Sequence, residues 1–197
     1  QRNLQFSQLE RESGELHRLA SQQVGQHDAH LTALSAIAVA SARQRPDLFL
    51  DVAATISRFY PRIDEVQLVP IDPAERIVGS TPLSSDDAEK IRVAAGQSNG
   101  LPVLLIHPSR AQHYFLVKRS PNSSDAIYAL ALGIDAAQLV GGDIDFWAND
   151  NVDARLSLPG GTDLVSSSGN NVLQFSRPLE SASQPLLLET SSHSGVT

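Results

Sequence analysis

Cysteine and methionine are both absent from this chain of 197 residues, and aromatic residues make up only 5% of it. Without cysteine the chain forms no disulfide, has no thiolate nucleophile and cannot bind zinc through sulfur. Basic residues are also few, because 15 Lys and Arg face 22 Asp and Glu and leave a net charge of −7. This balance argues against nucleic acid as a partner, since a phosphate backbone requires clustered Lys and Arg.

The motifs that mark common catalytic sites are missing as well. The sequence has no Gly-x-Ser-x-Gly elbow, no phosphate-binding P-loop and no His-Glu-x-x-His pair of metal ligands. We therefore predict no catalytic residue and no cofactor, and we expect that this segment is not an enzyme. No apolar run approaches the roughly 18 residues of a membrane-spanning helix.

Two groups of polar residues have the composition of metal sites without their full pattern. His27 and His30 lie three apart in a helical segment, near enough to share an ion, but no third ligand accompanies them. The second group consists of Asp143, Asp145, Asp150 and Asp153. Calcium prefers such oxygen ligands, yet the glycine and the terminal glutamate of an EF-hand loop are missing. A polar helix seam and a solvated loop explain these residues better, so no metal site is predicted.

The densest apolar region lies between Gly100 and Val140 and predicts three consecutive antiparallel strands. The runs Leu101–His107, His113–Ser120 and Ala126–Ile134 are rich in leucine, aromatic and β-branched residues. Turn formers separate them, as expected of a meander. We expect these strands to form the core of a five-stranded sheet.

The first 43 residues contain no proline, and their leucines recur at helical spacings. This pattern predicts one long helix, with a narrow polar-flanked stripe around Leu9 and Leu16 in its first half, as in a coiled-coil stalk. Alanine and serine dominate the second half, where a sheet can approach closely. Because the chain opens at Gln1 within this helix, we expect a segment of a longer protein, with a weak homodimer formed through residues 1–30.

Between the long helix and the three strands, the pattern predicts a helix over Pro46–Tyr60, strands over Glu65–Ile71 and Arg76–Ser80, and a third helix from Ser84 to Asn99-Gly100. The element order is helix, helix, two strands, helix and three strands. This α+β order is typical of a PAS-like domain that follows a stalk helix. We assign residues 1–43 to the stalk and 44–135 to a distal PAS-like unit.

Residues 136–197 are predicted to form a smaller, proximal PAS-like unit. The hairpin VDARLSLPGGTDLVSSSG repeats the layout of the earlier VQLVPIDPAERIVGSTP, and strand-like runs follow at Val172–Ser176 and Pro185–Thr190. We expect the segment 152–190 to form a separate small sheet and not to extend the sheet of residues 101–134.

The segments LTALSAIAVAS, DLFLDVAATISRFYPRIDEVQLVP and ALALGIDAAQLV resemble the CHASE and double Cache families of extracytoplasmic sensor domains. The resemblance implies a periplasmic segment of an inner-membrane receptor, with transmembrane helices flanking it in the parent protein. It implies an output module such as a histidine kinase of a two-component system, a diguanylate cyclase or phosphodiesterase, or a chemoreceptor. It does not identify a ligand, because the aromatic, arginine and aspartate constellation of amino-acid-binding Cache domains is missing.

The predicted sheet contains one candidate pocket. Strand alternation places Tyr114 and Lys118 on one face of their strand, and Tyr128 on the matching face of the next strand, with Gln67 as a further candidate. If Ala129 and Ala131 pack on the alanine-rich long helix, Tyr114, Lys118 and Tyr128 face a concavity towards the 84–98 helix. Lys118 then favours an anionic small molecule such as a carboxylate. The alternative is that both tyrosines are core residues and Lys118 reaches solvent.

Two functions from different classes follow from this pattern. The first is a ligand-sensing domain that signals through the stalk helix. The second is a structural dimerisation or protein-interaction module of a membrane protein, without a small-molecule ligand.

Overall fold

The computed structural model describes residues 2–141, 152–166 and 175–192. The chain divides into two compact units, one formed by residues 26–135 and the other by residues 1–25 together with 136–197. Both units contain an antiparallel sheet, and the chain has helices in addition, so the predicted α+β class is confirmed. The predicted segments 143–150 and 172–174 lie outside the described residues.

The helices are α1 (Arg2–Ser41), α2 (Pro46–Phe59) and α3 (Ser85–Gly96), with a 3₁₀ turn at Ala136–Leu139. The strands of the 26–135 unit are β1 (Ile63–Pro70), β2 (Val78–Gly79), β3 (Val103–Ile106), β4 (His113–Ser120) and β5 (Tyr128–Asp135). The strands of the other unit are β6 (Val152–Ser157), β7 (Asp163–Val165), β8 (Phe175–Pro178) and β9 (Leu187–Ser192). Within the described residues, no helix is long and apolar enough to span a membrane.

The 26–135 unit is built on a five-stranded antiparallel sheet with the order β2-β1-β5-β4-β3. The predicted meander is present, because β3 pairs with β4 and β4 pairs with β5 along its full length. β1 then pairs with β5, which places the first and last strands of the sheet side by side. A register shift between Ile63 and Glu65 makes Asp64 the extra residue of a β-bulge in β1.

The two helices that cover this sheet lie on the opposite faces from those predicted. α3 packs on the face formed by Phe115, Val117, Ala129 and Ala131. The second half of α1 lies on the other face, where the Ser35 and Ser120 hydroxyls are 2.7 Å apart. Both faces are buried and apolar, so strand alternation defines them without indicating which helix covers which.

Local signals in the sequence explain where α2 and α3 begin. Pro46 occupies the first turn of α2, where its missing N–H costs nothing. The Ser84 side chain caps α3 by accepting a hydrogen bond from the Asp87 N–H at 3.1 Å. Asp86 and Asp87 add negative charge at the positive end of the helix dipole.

In the other unit, β6 to β9 form a sheet separate from the first one, as predicted. Its four strands have the order β7-β6-β9-β8. The first half of α1 packs against this sheet. Its Ser13 hydroxyl lies 2.6 Å from that of Thr190, and its His17 donates a hydrogen bond of 2.7 Å to the Pro178 carbonyl. Leu16 is fully buried and Leu9 nearly so. The apolar stripe predicted for a coiled-coil stalk is therefore covered by the chain itself.

Candidate functional site

A buried carboxylate on the α3 face of the large sheet organises the polar residues of the 26–135 unit. Glu65, in β1, is 3% exposed. Its Oε1 accepts a hydrogen bond from His107 at 3.0 Å, and its Oε2 accepts one from the Gln67 amide at 2.9 Å. The Arg110 guanidinium reaches the same carboxylate at 3.4 Å. These donors compensate the cost of removing the charge from water.

The hydrogen bonds of His107 determine its tautomer. Nδ1 accepts the backbone N–H groups of Ser109 and Arg110, each at 3.1 Å, so it carries no proton. The proton therefore sits on Nε2, which donates to Glu65. With both ring nitrogens engaged, His107 has no free lone pair with which to act as a general base. Its ring also stacks on Phe115, with the centroids 4.3 Å apart.

Two glycines make room for the polar side chains of β1. Gly133 lies directly opposite Glu65, and a Cβ there would stand 2.7 Å from the Cβ of Glu65. Gly79 lies opposite Gln67, and a Cβ there would stand 1.8 Å from the Gln67 Oε1. Gln67 also donates to the Thr81 carbonyl at 2.9 Å, which fixes the orientation of its amide. The two cross-strand neighbours thus allow Glu65 and Gln67 to fold down onto the sheet.

A groove of about 410 Å³ opens beside this network. Its walls are the start of β1, the segment that leads into α3, and the turn between β3 and β4. The lining residues include Asp64, Glu65, Thr81, Ser84, Asp87, His107, Ser109 and Arg110. The Ser109 hydroxyl donates to the buried Asp87 carboxylate at 2.6 Å. Three carboxylates face one guanidinium here and His107 is neutral, so the groove has an excess of negative charge.

Arg110 and His113 connect the groove to the end of the sheet where β1 and β4 begin and β5 ends. Both terminal nitrogens of the Arg110 guanidinium donate to the Asp64 carboxylate, at 2.9 and 3.2 Å. This contact raises the pKa of Arg110. His113 Nε2 lies 2.8 Å from the Asp64 Oδ2, and His113 Nδ1 lies 2.8 Å from the Ala111 carbonyl. Among the described residues, Asp64, His113 and Asp135 bring one ligand atom each within 4.8 Å of one another.

Three of the four predicted site residues share one face of the sheet, and Gln67 lies on the other. Gln67 lies on the α3 face and belongs to the network around Glu65. Tyr114, Lys118 and Tyr128 lie on the other face, which the second half of α1 covers. The predicted concavity between these three residues and the 84–98 helix is therefore wrong, because that helix packs on the opposite face.

Tyr114 and Tyr128 have the character of core residues, which was the alternative interpretation. Tyr114 is fully buried and Tyr128 is 3% exposed, while Lys118 is half-buried. Burial raises the pKa of the Tyr114 phenol above its ordinary range, although the nearby Arg62 acts in the opposite direction.

The pair His27 and His30 is not arranged for a shared metal ion. Arg62 donates from Nε to His27 Nε2 at 2.9 Å, so a guanidinium occupies the position that an ion would take. His30 instead lies against the Tyr60 ring, with the centroids 4.8 Å apart. Of the four aspartates weighed for calcium, only Asp153 falls within the described residues.

The remaining residues of the groove were missed because their partners are distant in sequence. Glu65 and His107 are 42 positions apart, and Arg110 reaches Asp64 across 46 positions. One signal was present in the segment IDEVQLVP, where Glu65 and Gln67 alternate with apolar residues on a predicted strand. Two polar side chains on one inward face indicate a polar network within the core.

The comparisons with known proteins add no family to this geometry. A scan against protein-family models found no match, and a search of curated proteins found none either.

Proposed function

We propose that this chain is the extracytoplasmic ligand-sensing segment of a membrane receptor, and that its ligand binds in the groove between Glu65 and Asp87. The bound molecule is small and polar and carries a cationic amine. The observation that carries the proposal is the groove itself, a concavity of about 410 Å³ lined by convergent polar side chains on a rigid sheet.

The fold supports a PAS-like sensor. The order of elements that suggested a PAS-like unit recurs in the 26–135 unit, where all five strands join into one antiparallel sheet. The second sheet, β6 to β9, matches the smaller proximal unit that the resemblance to double Cache proteins implies.

The charge of the groove favours an amine over the carboxylate that Lys118 suggested. Asp87 is 7% exposed, and Ser109 is the donor to its Oδ2. The guanidinium of Arg110 is already shared between Asp64 and Glu65. An ammonium group can donate charge-assisted hydrogen bonds to the Asp87 carboxylate, while the hydroxyls of Thr81 and Ser109 can orient the rest of the molecule.

A thermal-shift screen of the full chain tests this function. The library pairs small primary amines with carboxylic acids of the same size, and isothermal titration calorimetry checks each hit. A ligand that binds only the folded chain at a hundredfold excess over Kd stabilises it by about 2.7 kcal/mol. We expect hits among the amines that Asp87→Asn abolishes, since this change removes the charge and keeps the shape.

Lys118→Ala is the matched control, because Lys118 lies on the opposite face of the sheet. Amine hits should persist in that variant. Carboxylate hits that Lys118→Ala abolishes would overturn the amine proposal and restore the anionic one. The absence of any hit with a folded wild-type chain would favour the structural interaction module.

A further inference from the structure

Three potential metal ligands meet at the edge of the groove, at the ends of three neighbouring strands. His113 begins β4 and pairs directly with Asp135 at the end of β5. Asp64 reaches them because it is the bulged residue of β1, freed from the regular alternation of the strand. Their ligand atoms lie within 4.8 Å of one another.

The two ring nitrogens of His113 both face groups that can only accept hydrogen bonds. Nδ1 lies 2.8 Å from the Ala111 carbonyl oxygen, and Nε2 lies 2.8 Å from the Asp64 carboxylate. A neutral imidazole has one N–H, so with that proton on Nδ1 the Nε2 lone pair opposes a carboxylate oxygen. Either a second proton or a cation must lie between them. A metal-binding histidine usually donates the N–H of its other ring nitrogen to a carbonyl or carboxylate, and the Ala111 carbonyl is placed to accept it from His113 Nδ1.

We propose that Asp64, His113 and Asp135 bind a divalent transition-metal ion, with Zn²⁺ as the best match. Imidazole together with carboxylate suits zinc, whereas Ca²⁺ and Mg²⁺ prefer oxygen ligands alone. Zinc bonds of about 2.0–2.2 Å hold tetrahedral ligand atoms about 3.4 Å apart. His113 Nε2 and Asp64 Oδ2, which lie 2.8 Å apart, must therefore separate to admit the ion. Three protein ligands leave one coordination position for water or for a ligand from solution.

The position is accessible from solution. The side chains of Asp64 and His113 are 27% and 12% exposed, and Asp135 is also partly exposed. An ion can therefore enter without unfolding the sheet. The proposal does not depend on the amine-binding function, because it needs neither Asp87 nor Ser109.

Arg110 competes with the ion for Asp64. Its Nη2 donates to the Asp64 Oδ2 at 2.9 Å, and this same oxygen faces His113. A bound dication must weaken this contact and tolerate a nearby guanidinium. Removing the guanidinium should therefore strengthen metal binding, which is the opposite of what removing a ligand does.

The test is calorimetric titration of the full chain, stripped with a chelator, with Zn²⁺, Mg²⁺ and Ca²⁺ at neutral pH. We expect one Zn²⁺ per chain, with much weaker binding of the other two ions. His113→Gln and Asp135→Asn should each weaken binding by more than about tenfold, the lower bound for loss of an outer-shell partner. Arg110→Ala should strengthen it.

His30→Gln serves as the control, because His30 lies against Tyr60 and belongs to another part of the unit. Its zinc affinity should equal that of the wild type. Circular dichroism confirms that each variant is folded, and the visible spectrum of the Co²⁺-loaded chain reports a nitrogen and oxygen ligand set. Zinc binding unchanged in both His113→Gln and Asp135→Asn, or no binding to the wild type, would overturn the proposal.

Discussion

Glu65 and Gly133 face each other across β1 and β5, and the glycine leaves open the space into which the glutamate side chain folds. A methyl group at position 133 would stand 2.7 Å from the Glu65 Cβ and 3.2 Å from its Oε1. The buried carboxylate and the missing side chain therefore form one feature of the sheet.

Gly133→Ala should lower the free energy of unfolding by about 1–3 kcal/mol, the usual cost of overpacking a core. Urea denaturation followed by circular dichroism measures it. Gly96→Ala is the matched control, because Gly96 is exposed at the end of α3 and a Cβ there meets nothing within 4 Å. That change should be neutral or slightly stabilising. Equal effects at the two positions would contradict the close contact with Glu65.

His107→Leu should destabilise the chain by about 1–3 kcal/mol, because it removes one donor to the buried Glu65 carboxylate and the acceptor of two backbone N–H groups. The double variant Glu65→Leu with His107→Leu should lose less than the sum of the two single changes. Denaturation curves of all four proteins complete the cycle. Strict additivity would show that the two side chains do not act as a pair.

Acid should destabilise the 26–135 unit partly through His30. Burial lowers the pKa of His30 below its ordinary value of 6.5, and the nearby Arg62 lowers it further. The unfolded chain therefore takes up a proton first as the pH falls below about 6.5, and the free energy of unfolding decreases. The loss stops once the pH lies below the folded pKa.

His30→Gln should flatten this part of the curve, since glutamine cannot take up the proton. Urea denaturation between about pH 7.5 and 5 measures the slope, which reports the difference in bound protons. An identical slope in the wild type and in His30→Gln would exclude His30 as the source of the acid sensitivity.

Leu16→Ala distinguishes a helix packed within the chain from a coiled-coil stalk. Leu16 is fully buried against its own unit, so its truncation should cost about 2–5 kcal/mol of unfolding free energy at any protein concentration. Arg11→Ala, at an exposed position of the same helix, should stay within about 0.5 kcal/mol of the wild type. If Leu16→Ala instead left the free energy of unfolding unchanged and lowered only the fraction of dimer measured by sedimentation, the coiled-coil stalk would be supported.

The sequence was sufficient to predict most of the elements but not their partners. The strand His113–Ser120 was predicted with the bounds that the structure has, because its apolar run is flanked by clear turn formers. The stripe around Leu16 predicted a helix with one covered face, yet an apolar stripe does not reveal whether a second chain or the same chain covers it.

The candidate site could not be predicted from the sequence for a similar reason. The face that contains Phe115 and Val117 is as apolar as the face that contains Tyr114 and Leu116. The sequence pattern therefore could not show that α3 packs on the first face and α1 on the second. The groove itself depends on charges paired across more than 40 positions, such as Glu65 with His107. Only tertiary structure brings such residues together.

The acceptor role of His107 Nδ1 has a consequence for the dynamics of the turn after β3. Ser109 and Arg110 lie in that turn, where backbone amides normally exchange with solvent within seconds or faster. Here both N–H groups bind a ring that is itself held by a buried carboxylate. Their deuterium exchange should therefore follow the opening of the sheet, and the same two amides should become unprotected in His107→Leu.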